Sequence, residues 1–221
     1  MKKIYLLAIL ALLISGPACS PSSNLPSTGE SAAEPTGRIY FQENFSDDTT
    51  GWPSIRTDDR ITDYENGVYR IFVNLNNDDY LVTPGLSLPS DVRVEVDATK
   101  VAGSDNNDFG ILCRYQDNDN LYQFVVSSDG YVGIVKLVDG SMQSLAAETL
   151  LESSAVNGGN AQNHIRADCI GNTLTLYVNG QQVSTVQDAA FTSGGDVGIF
   201  AGTYDTPGAD IHFDNFIVTA P

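Results

Sequence analysis

The chain has few basic residues: 11 lysines and arginines stand against 28 aspartates and glutamates, giving a formal net charge of −17 at pH 7. Binding to nucleic acid needs a basic surface that neutralises phosphates, so this composition excludes nucleic acid as a partner. An acidic surface instead favours solubility and attracts cations. There are only two histidines and three cysteines, and they do not show the spacing of a zinc site.

Several catalytic motifs are also missing. The sequence has no Gly-x-Ser-x-Gly frame for a nucleophilic serine. It also has no glycine-rich segment that opens a helix, as phosphate and dinucleotide sites require. Its one long apolar run, residues 4–14, is shorter than the roughly 20 residues that span a bilayer. We therefore expect neither a serine hydrolase, nor a nucleotide-dependent enzyme, nor a transmembrane helix.

Residues 1–18 have the pattern of an export signal peptide. Two lysines precede the apolar run, whose length falls within the range of about 7 to 15 residues for such signals. The ending at Cys19 resembles the bacterial lipoprotein signal, in which the cysteine becomes the first mature residue and carries the lipid. Gly16 departs from the leucine usual there, and an ordinary secretory cut after Ala18 is the alternative. We expect a cell-surface lipoprotein, held to the membrane through this lipid anchor alone, or a secreted protein.

Residues 19–37 consist mainly of serine, proline, glycine, threonine, alanine and glutamate. Such a segment cannot bury enough apolar surface to offset its ordering entropy, so we expect a disordered linker. The remaining residues, 38–221, contain no internal repeat or second linker, and their number suits a single domain with one core. We expect this domain to be a monomer.

Short segments of alternating apolar and polar residues dominate residues 38–221, as strands require. Turn pairs that tolerate positive φ separate them, such as Asn179-Gly180. Only residues 141–155 could hold a helical turn. Strands are predicted at residues 39–45, 68–74, 80–83, 92–100, 109–116, 121–127, 131–138, 164–170, 173–178, 181–187, 197–203 and 211–219. So many short strands predict an all-β fold, a two-sheet antiparallel β-sandwich of the jelly-roll type.

Two cysteines remain beyond the signal, in an exported chain where a disulfide can persist. Cys113 and Cys169 each lie on the apolar side of a predicted strand. A disulfide between two core strands is therefore one prediction. The alternative is a pair of buried free thiols that pack as small hydrophobic side chains.

Four regions of the sequence resemble the concanavalin A-like lectin and glucanase superfamily. They are the start of the domain (residues 41–45 and 51–52), its end (residues 211–218), and two central segments similar to laminin G-like and 3-keto-disaccharide hydrolase domains (residues 108–114 and 171–180). The resemblance implies a concanavalin A-like jelly roll whose first and last strands lie side by side. It also implies a function related to sugars, although fold alone does not define one.

The glucanase branch of that superfamily carries its nucleophile and its acid/base on one strand, as Glu-x-Asp-x-x-Glu. The nearest match begins at Glu95 and Asp97, but Lys100 stands in place of the second glutamate. We therefore expect no catalytic residues and a surface-anchored, lectin-like module. A glycoside hydrolase or related sugar-processing enzyme is the first alternative, and a protein-interaction or sensing ectodomain is the second.

Charged residues within the predicted strands suggest a binding face. Three arginines lie opposite the apolar side of their strands and would meet acidic and amide side chains if these strands share a sheet. The candidate ligand-binding residues are Arg93, Glu95, Asp97, Arg114, Gln116, His164, Arg166 and Asp168. Arginine donates paired hydrogen bonds to vicinal hydroxyls, so a glycan or polysaccharide is the expected ligand. The alternative is cross-strand ion pairing that only solubilises the sheet.

Aromatic side chains are a second requirement of a sugar site, because a pyranose stacks its C–H face on a ring. The resemblance implies that the single tryptophan, Trp52, packs in the core. Further candidates are Tyr115, Tyr122, Tyr131 and Tyr204, although β propensity explains these tyrosines equally well.

The resemblance also implies a structural Ca²⁺ ion. In many glucanase-like sandwiches an aspartate in the last strand, matched here by Asp214, joins oxygens near the first strand, where Glu43 lies. We therefore expect Glu43 and Asp214 to bind calcium. The alternative is an Asp214 that only forms hydrogen bonds between the terminal strands. Two further segments, Asp105-Asn-Asn-Asp108 and Asp117-Asn-Asp-Asn120, also supply oxygen ligands, but both lack the glycine and terminal glutamate of a calcium loop. The alternative is that both are simple turns.

Overall fold

The computed structural model describes residues 37–221 and builds them from β-strands and connecting turns. No helix forms in this part of the chain, so it contains none with the length and apolar character needed to cross a membrane. The signal peptide, Cys19 and nearly all of the linker lie outside the described residues. The lipid anchor, the export signal and the disordered linker therefore stay predictions.

The strands have the following bounds, in chain order: β1 (Ile39–Glu43), β2 (Ile55–Arg56), β3 (Arg60–Glu65), β4 (Val68–Val73), β5 (Asp78–Val82), β6 (Val92–Ala102), β7 (Asn107–Asp117), β8 (Asn120–Val126), β9 (Tyr131–Val138), β10 (Ser141–Ser144), β11 (Leu151–Glu152), β12 (Gln162–Ile170), β13 (Thr173–Val178), β14 (Gln181–Gln187), β15 (Asp196–Thr203) and β16 (Ala209–Thr219).

The strands form two antiparallel sheets that pack face to face. Sheet A has nine strands in the order β14-β13-β12-β6-β16-β4-β3-β2, and β1 also pairs with β16. Sheet B has seven strands in the order β10-β9-β8-β7-β15-β5, and β11 also pairs with β9. This arrangement confirms the predicted all-β, two-sheet sandwich.

The first and last described strands are neighbours, as the resemblance implied. Phe41 of β1 lies opposite Val218 of β16, and Glu43 lies opposite Phe216. β16 also pairs with β4 and with β6. β16 therefore connects the two halves of sheet A, and it also pairs with β1, the first strand of the domain.

The hydrophobic core lies between the two sheets because side chains alternate along each strand. On β6, Val92, Val94 and Val96 are fully buried, whereas the residues between them face outward and are half-buried. Ile111 of β7 and Phe124 of β8 belong to the same core from sheet B. Each strand thus contributes one face to the core and leaves the other on the outside of the sandwich.

Trp52 belongs to this core, as predicted. It is 3% exposed, and its ring centroid lies 5.3 Å from that of Phe45 and 5.1 Å from that of Phe216. Both contacts are edge-to-face, a favourable geometry for aromatic pairs. Trp52 is thus unavailable for stacking on a ligand.

Short polar strands account for the differences from the predicted strand pattern. β3 has too few apolar residues to show alternation, yet it pairs along its length with β4. The predicted helical turn within residues 141–155 is wrong, because β10 pairs with β9 from Ser141 to Ser144 and β11 pairs with β9 from Leu151 to Glu152. These segments form strands because β9 offers unpaired backbone groups at its edge.

The disulfide prediction is confirmed. Cys113 of β7 and Cys169 of β12 are bonded, so the bridge joins sheet B to sheet A through the core. Both residues are fully buried. The bond links positions separated by 56 residues, and it therefore restricts the unfolded chain strongly.

Reduction of the disulfide is expected to lower the free energy of unfolding by about 3 to 4 kcal/mol, because the unfolded chain regains the entropy of a long loop. Urea denaturation of oxidised and dithiothreitol-treated protein measures the difference. A Cys113→Ala, Cys169→Ala double variant is the control and should not respond to dithiothreitol. Recovery of both cysteines as free thiols from non-reduced protein by peptide mass spectrometry would contradict the bond.

Candidate functional site

Six of the eight predicted ligand-binding residues lie together on the outer face of sheet A. They come from β6 and β12, which are paired neighbours in this sheet. Directly opposite pairs are His164 and Asp97, Arg166 and Glu95, and Asp168 and Arg93. Opposite residues in an antiparallel pair project from the same side, so the six side chains form one charged surface.

Asp168 is the centre of one ion-pair group on this surface. Arg93 donates from Nε to Oδ1 of Asp168 at 2.9 Å, and Arg166 donates from Nη2 to Oδ2 at 2.6 Å. The Arg166 guanidinium also lies 4.3 Å from the centre of the Tyr177 ring. Burial would raise the pKa of Asp168, but the hydrogen bonds from the two arginines outweigh burial and lower it.

His164 is the centre of a second group. Its Nδ1 lies 2.8 Å from Oδ1 of Asp97, and its Nε2 lies 3.1 Å from Oε2 of Glu95. The hydrogen bonds to Asp97 and then to Glu95 raise the pKa of His164 to about 9, although burial acts in the opposite direction. The imidazole is therefore charged at neutral pH and pairs with both carboxylates.

The charged groups of this surface are engaged with one another. A ligand that used Arg93 or Arg166 would have to compete with Asp168, and one that used Asp97 or Glu95 would compete with His164. These contacts match the alternative interpretation of the sequence, cross-strand ion pairing that solubilises the sheet. A binding role for the six residues stays a prediction.

Arg114 does not lie on this surface, which corrects its predicted placement. It belongs to sheet B and is 2% exposed. Its guanidinium donates to three backbone carbonyls, those of Ser90 at 3.0 Å, Phe191 at 2.8 Å and Gly171 at 2.7 Å. Arg114 thus connects three turns of the chain from within the protein.

A β-bulge explains why the strand pattern misplaced Arg114 and Gln116. The pairing of β7 with β8 shifts register between Cys113 and Asp117, and Arg114 has a φ of 49°. The alternation of side chains breaks at such a point. Gln116 also belongs to β7 in sheet B, where its Nε2 donates to the carbonyl of Gly194 at 3.0 Å. Neither residue joins the charged surface of sheet A.

The predicted calcium ligands, Glu43 and Asp214, are engaged in local hydrogen bonds. Glu43 accepts from the backbone N–H of Phe45 at 2.6 Å and from the hydroxyl of Thr50. Asp214 accepts from the backbone N–H of Asn215 at 2.7 Å. Within residues 37–221 no three acidic, histidine or cysteine side chains gather to bind a metal. A calcium ion would have to displace the bonds to Glu43, and calcium binding stays a prediction.

A pair of carboxylates lies on the outer face of sheet B. Gly202 of β15 is opposite Asp79 of β5 on one side and opposite Asp108 of β7 on the other. Because position 202 has no side chain, both aspartates occupy the space above it, and a Cβ there would overlap with Oδ1 of each. Asp108 is 7% exposed, and its Oδ1 has no hydrogen-bond partner among residues 37–221. A buried carboxylate oxygen without a partner is unfavourable and is therefore a candidate for ligand contact.

Two cavities adjoin this pair. One, of about 270 Å³, is lined by Asp108, by Tyr204 and by the loop between β10 and β11. The other, of about 370 Å³, is lined by Asp79 and Arg60. Gln123 of β8 lines both, so the cavities adjoin at this residue. We call the combined depression, with Asp79, Asp108, Gln123 and Tyr204 as its polar groups, the acidic groove.

Apolar side chains form the floor of the acidic groove. Val125 and Val135 line it, and Leu150 from the β10–β11 loop lies against the backbone at Gly133. Val125 and Val135 belong to a second hydrophobic cluster, on the outer face of sheet B, which also includes Phe200. An apolar floor with a few convergent polar groups is typical of a ligand site.

Burial and mutual repulsion dominate the electrostatics of the groove. Burial, and then the nearby carboxylate of Asp79, raise the pKa of Asp108 well above its usual value. Burial also raises the pKa of Asp79, and Asp78 adds to the effect. The pKa of Tyr204 is raised by burial and by the carboxylates of Asp108 and Asp79. Two adjacent carboxylates resist double ionisation, so the pair favours at most one negative charge.

The strand pattern did not reveal most of the acidic groove. The sequence predicts Asp108 only as part of an acidic turn and of a segment that resembles the superfamily, and Tyr204 only as an aromatic candidate. It predicts no role for Asp79 or Gln123. All four lie opposite the apolar side of their strands or just beyond a strand end. A search for polar residues facing a glycine on a neighbouring strand would have found the pair, but it requires the pairing of β5, β15 and β7.

Comparison with known proteins shows which solved structures share this fold. No family model matches the chain, and no curated protein matches its sequence. The carbohydrate binding module CBM66 from Bacillus subtilis matches the structure with a TM-score of 0.60 and 19% identity, over 77% of this chain and 96% of that one. A Bacillus subtilis protein of unknown function with a galectin-like fold matches with a TM-score of 0.60 and 9% identity, over 83% of this chain and 96% of that one.

A part of a larger protein also matches. The GH43 protein BlXynB from Bacillus licheniformis has a TM-score of 0.61 and 18% identity, over 81% of this chain and 39% of that one. This chain therefore spans well under half of BlXynB. At these identities the likeness establishes the fold alone, a two-sheet antiparallel β-sandwich.

The stability of the fold is expected to fall as the pH rises from 6.5 through about 9, because the raised pKa of His164 means that its charged form is stabilised in the folded state. The gain is fully present below pH 6.5. Since the side chain is 45% exposed, solvent screening keeps it below about 1 kcal/mol. Urea denaturation of wild type and His164→Gln at pH 6 and pH 10 measures it. An equal pH response of the two proteins would contradict the pairing.

Proposed function

We propose that this protein is a carbohydrate-binding β-sandwich module without catalytic machinery and that its glycan site is the acidic groove. The observation that carries the proposal is the carboxyl pair of Asp79 and Asp108, in which no amide or hydroxyl group of residues 37–221 donates to the buried Oδ1 of Asp108. The pair lies beside Gln123 and Tyr204 above an apolar floor. Sugar hydroxyls donate hydrogen bonds to carboxylates, and the C–H faces of a sugar ring pack on apolar side chains. The groove offers both kinds of contact in one depression.

The comparisons support the class of ligand without locating the site. One matched structure is described as a carbohydrate binding module, and another is a GH43 protein. These names support a sugar-related role for this chain because the sandwich is shared along most of its length. The contacts within this structure favour the acidic groove over the charged surface of sheet A, whose charged groups are paired with one another.

A glycoside hydrolase is the second candidate. Asp108 and Glu148 line the same cavity, and a hydrolase needs two carboxyl groups on either side of a glycosidic bond. Asp79 and Asp108 do not meet that requirement together, because they face each other across a space too small for a methyl group. Release of reducing sugar from a bound polysaccharide would favour the hydrolase, and binding without release favours the module.

Replacement of Gln123 by methionine is expected to weaken polysaccharide binding about tenfold, because it keeps the volume of the side chain and removes its amide. A glycan array probed with the full chain identifies a binding polysaccharide, and isothermal titration calorimetry then measures the affinity of each variant. Arg166→Met on the outer face of sheet A is the matched control and should bind like wild type.

The opposite result, with binding lost in Arg166→Met and kept in Gln123→Met, would move the site to the charged surface of sheet A. Repetition in EDTA tests the predicted calcium ion. If EDTA changes neither the melting temperature nor the affinity, the predicted calcium site at Glu43 and Asp214 is contradicted.

We also propose that the module is exported and anchored through a lipid on Cys19, which the signal pattern of residues 1–18 supports. In bacterial cells the wild type is expected in the detergent phase of a Triton X-114 extraction, because an acylated chain partitions into lipid. Cys19→Ala should move the protein to the aqueous phase. Wild-type protein in the aqueous phase, with residue 19 unmodified by mass spectrometry, would contradict the anchor.

A further inference from the structure

Asp79, Gly202 and Asp108 form a row across three strands of sheet B. The register places Gly202 of β15 between the two aspartates, and the missing side chain lets their Oδ1 atoms approach each other. Any larger residue at position 202 would separate them. The glycine therefore makes a contact between two acidic side chains possible, where ordinary residues would keep them apart.

This contact is not neutralised by a nearby basic residue in the groove. The lining of the two cavities includes one basic side chain, Arg60, and it is already paired with Asp78. Arg60 donates from Nη2 to Oδ1 of Asp78 at 2.9 Å, and its guanidinium lies 5.0 Å from the centre of the Tyr80 ring. No unpaired cation among the residues that line the two cavities therefore offsets the negative charge of Asp79 and Asp108.

We propose that Asp79 and Asp108 share one proton and that this acid pair binds the hydroxyl groups of an uncharged saccharide. The proposal rests on the proposed function and names the ligand class for the same groove. A shared proton leaves one negative charge, which accepts hydrogen bonds from sugar hydroxyls, and it removes the repulsion between the two carboxyl groups. Asp108, the more buried partner, holds the proton, since burial favours its neutral form.

The remaining charges around the groove select against acidic sugars. The charged and titratable side chains that line it come from five elements: Asp79 and Tyr80 of β5, Asp108 of β7, Glu148 of the β10–β11 loop, Tyr204 after β15, and Arg60 of β3. Asp78 of β5 adds a further negative charge close enough to raise the pKa of Asp79. Most of these are acidic, and the one cation is paired. A uronic acid or another anionic sugar would bring a carboxylate against like charges in a partly buried site, which is unfavourable.

The test combines pH with isosteric amide variants. The probe is a neutral polysaccharide from the glycan array and its carboxymethylated derivative, which differ in charge and share a backbone. For wild type, affinity for the neutral form should fall about tenfold from pH 5 to pH 9, because loss of the shared proton restores repulsion between the carboxylates. The carboxymethylated form should bind at least about tenfold more weakly at pH 7.

Asp108→Asn and Asp79→Asn cannot share a proton and should show less than about a twofold change in affinity across the same pH range. Each variant is expected to bind more weakly than wild type at pH 5, since a contact atom has changed. Gly202→Ala, which pushes the two side chains apart, should weaken binding at every pH. Melting temperatures of the ligand-free proteins provide a second readout: wild type should lose stability relative to Asp108→Asn as the pH rises, because a raised acid pKa favours folding only while the group is protonated.

The outcomes separate this inference from the proposed function. Failure of every neutral polysaccharide to bind would overturn both. Binding with the same affinity at pH 5 and pH 9, or equal binding of the carboxymethylated form, would overturn only the acid pair and its ligand class. Affinity that requires added Ca²⁺ and disappears in EDTA would also overturn it, because the carboxylates would then hold a metal in place of a proton.

Discussion

The packing of two sheets through one shared core determines what the rest of this molecule can do. Each strand that contributes to the core buries the side chains of one face in apolar contacts. Val94 and Val96 of β6 and Ile111 of β7 are examples. Function is therefore restricted to the two outer faces and the turns. The disulfide between Cys113 and Cys169 strengthens this restriction, because it fixes the two layers to each other from inside.

The two outer faces use their polar residues differently. On sheet A, arginine, histidine and carboxylate side chains pair across β6 and β12 and satisfy one another. On sheet B, the polar residues of the acidic groove lie among apolar side chains, and within residues 37–221 no amide or hydroxyl group donates to Oδ1 of Asp108. The first arrangement makes a stable, soluble surface, and the second leaves interaction capacity for a ligand. This contrast, more than the number of charges, distinguishes the two faces as candidate sites.

Sequence alone predicted the sandwich and most of its strands, because alternation and turn residues are local signals. The pairing of the first with the last strand followed from the family resemblance. The positions of Cys113 and Cys169 predicted either a disulfide or two buried free thiols, and the structure decides for the disulfide. The site was harder to predict. The bulge at Arg114 reverses a side-chain direction that a regular strand would fix. The contact between Asp79 and Asp108 depends on which strands are neighbours, and residue order does not contain that information.

The position of β16 within sheet A has a consequence for the order of assembly. This strand is central in the sheet, yet its residues, 209–219, are made long after those of β1, β4 and β6, with which it pairs. Until it emerges, the earlier strands of sheet A lack the neighbour that connects them, and long-range pairing of this kind is slow. A nascent chain therefore keeps unpaired strand edges until β16 has been made, and such edges are prone to aggregate before the sheet closes.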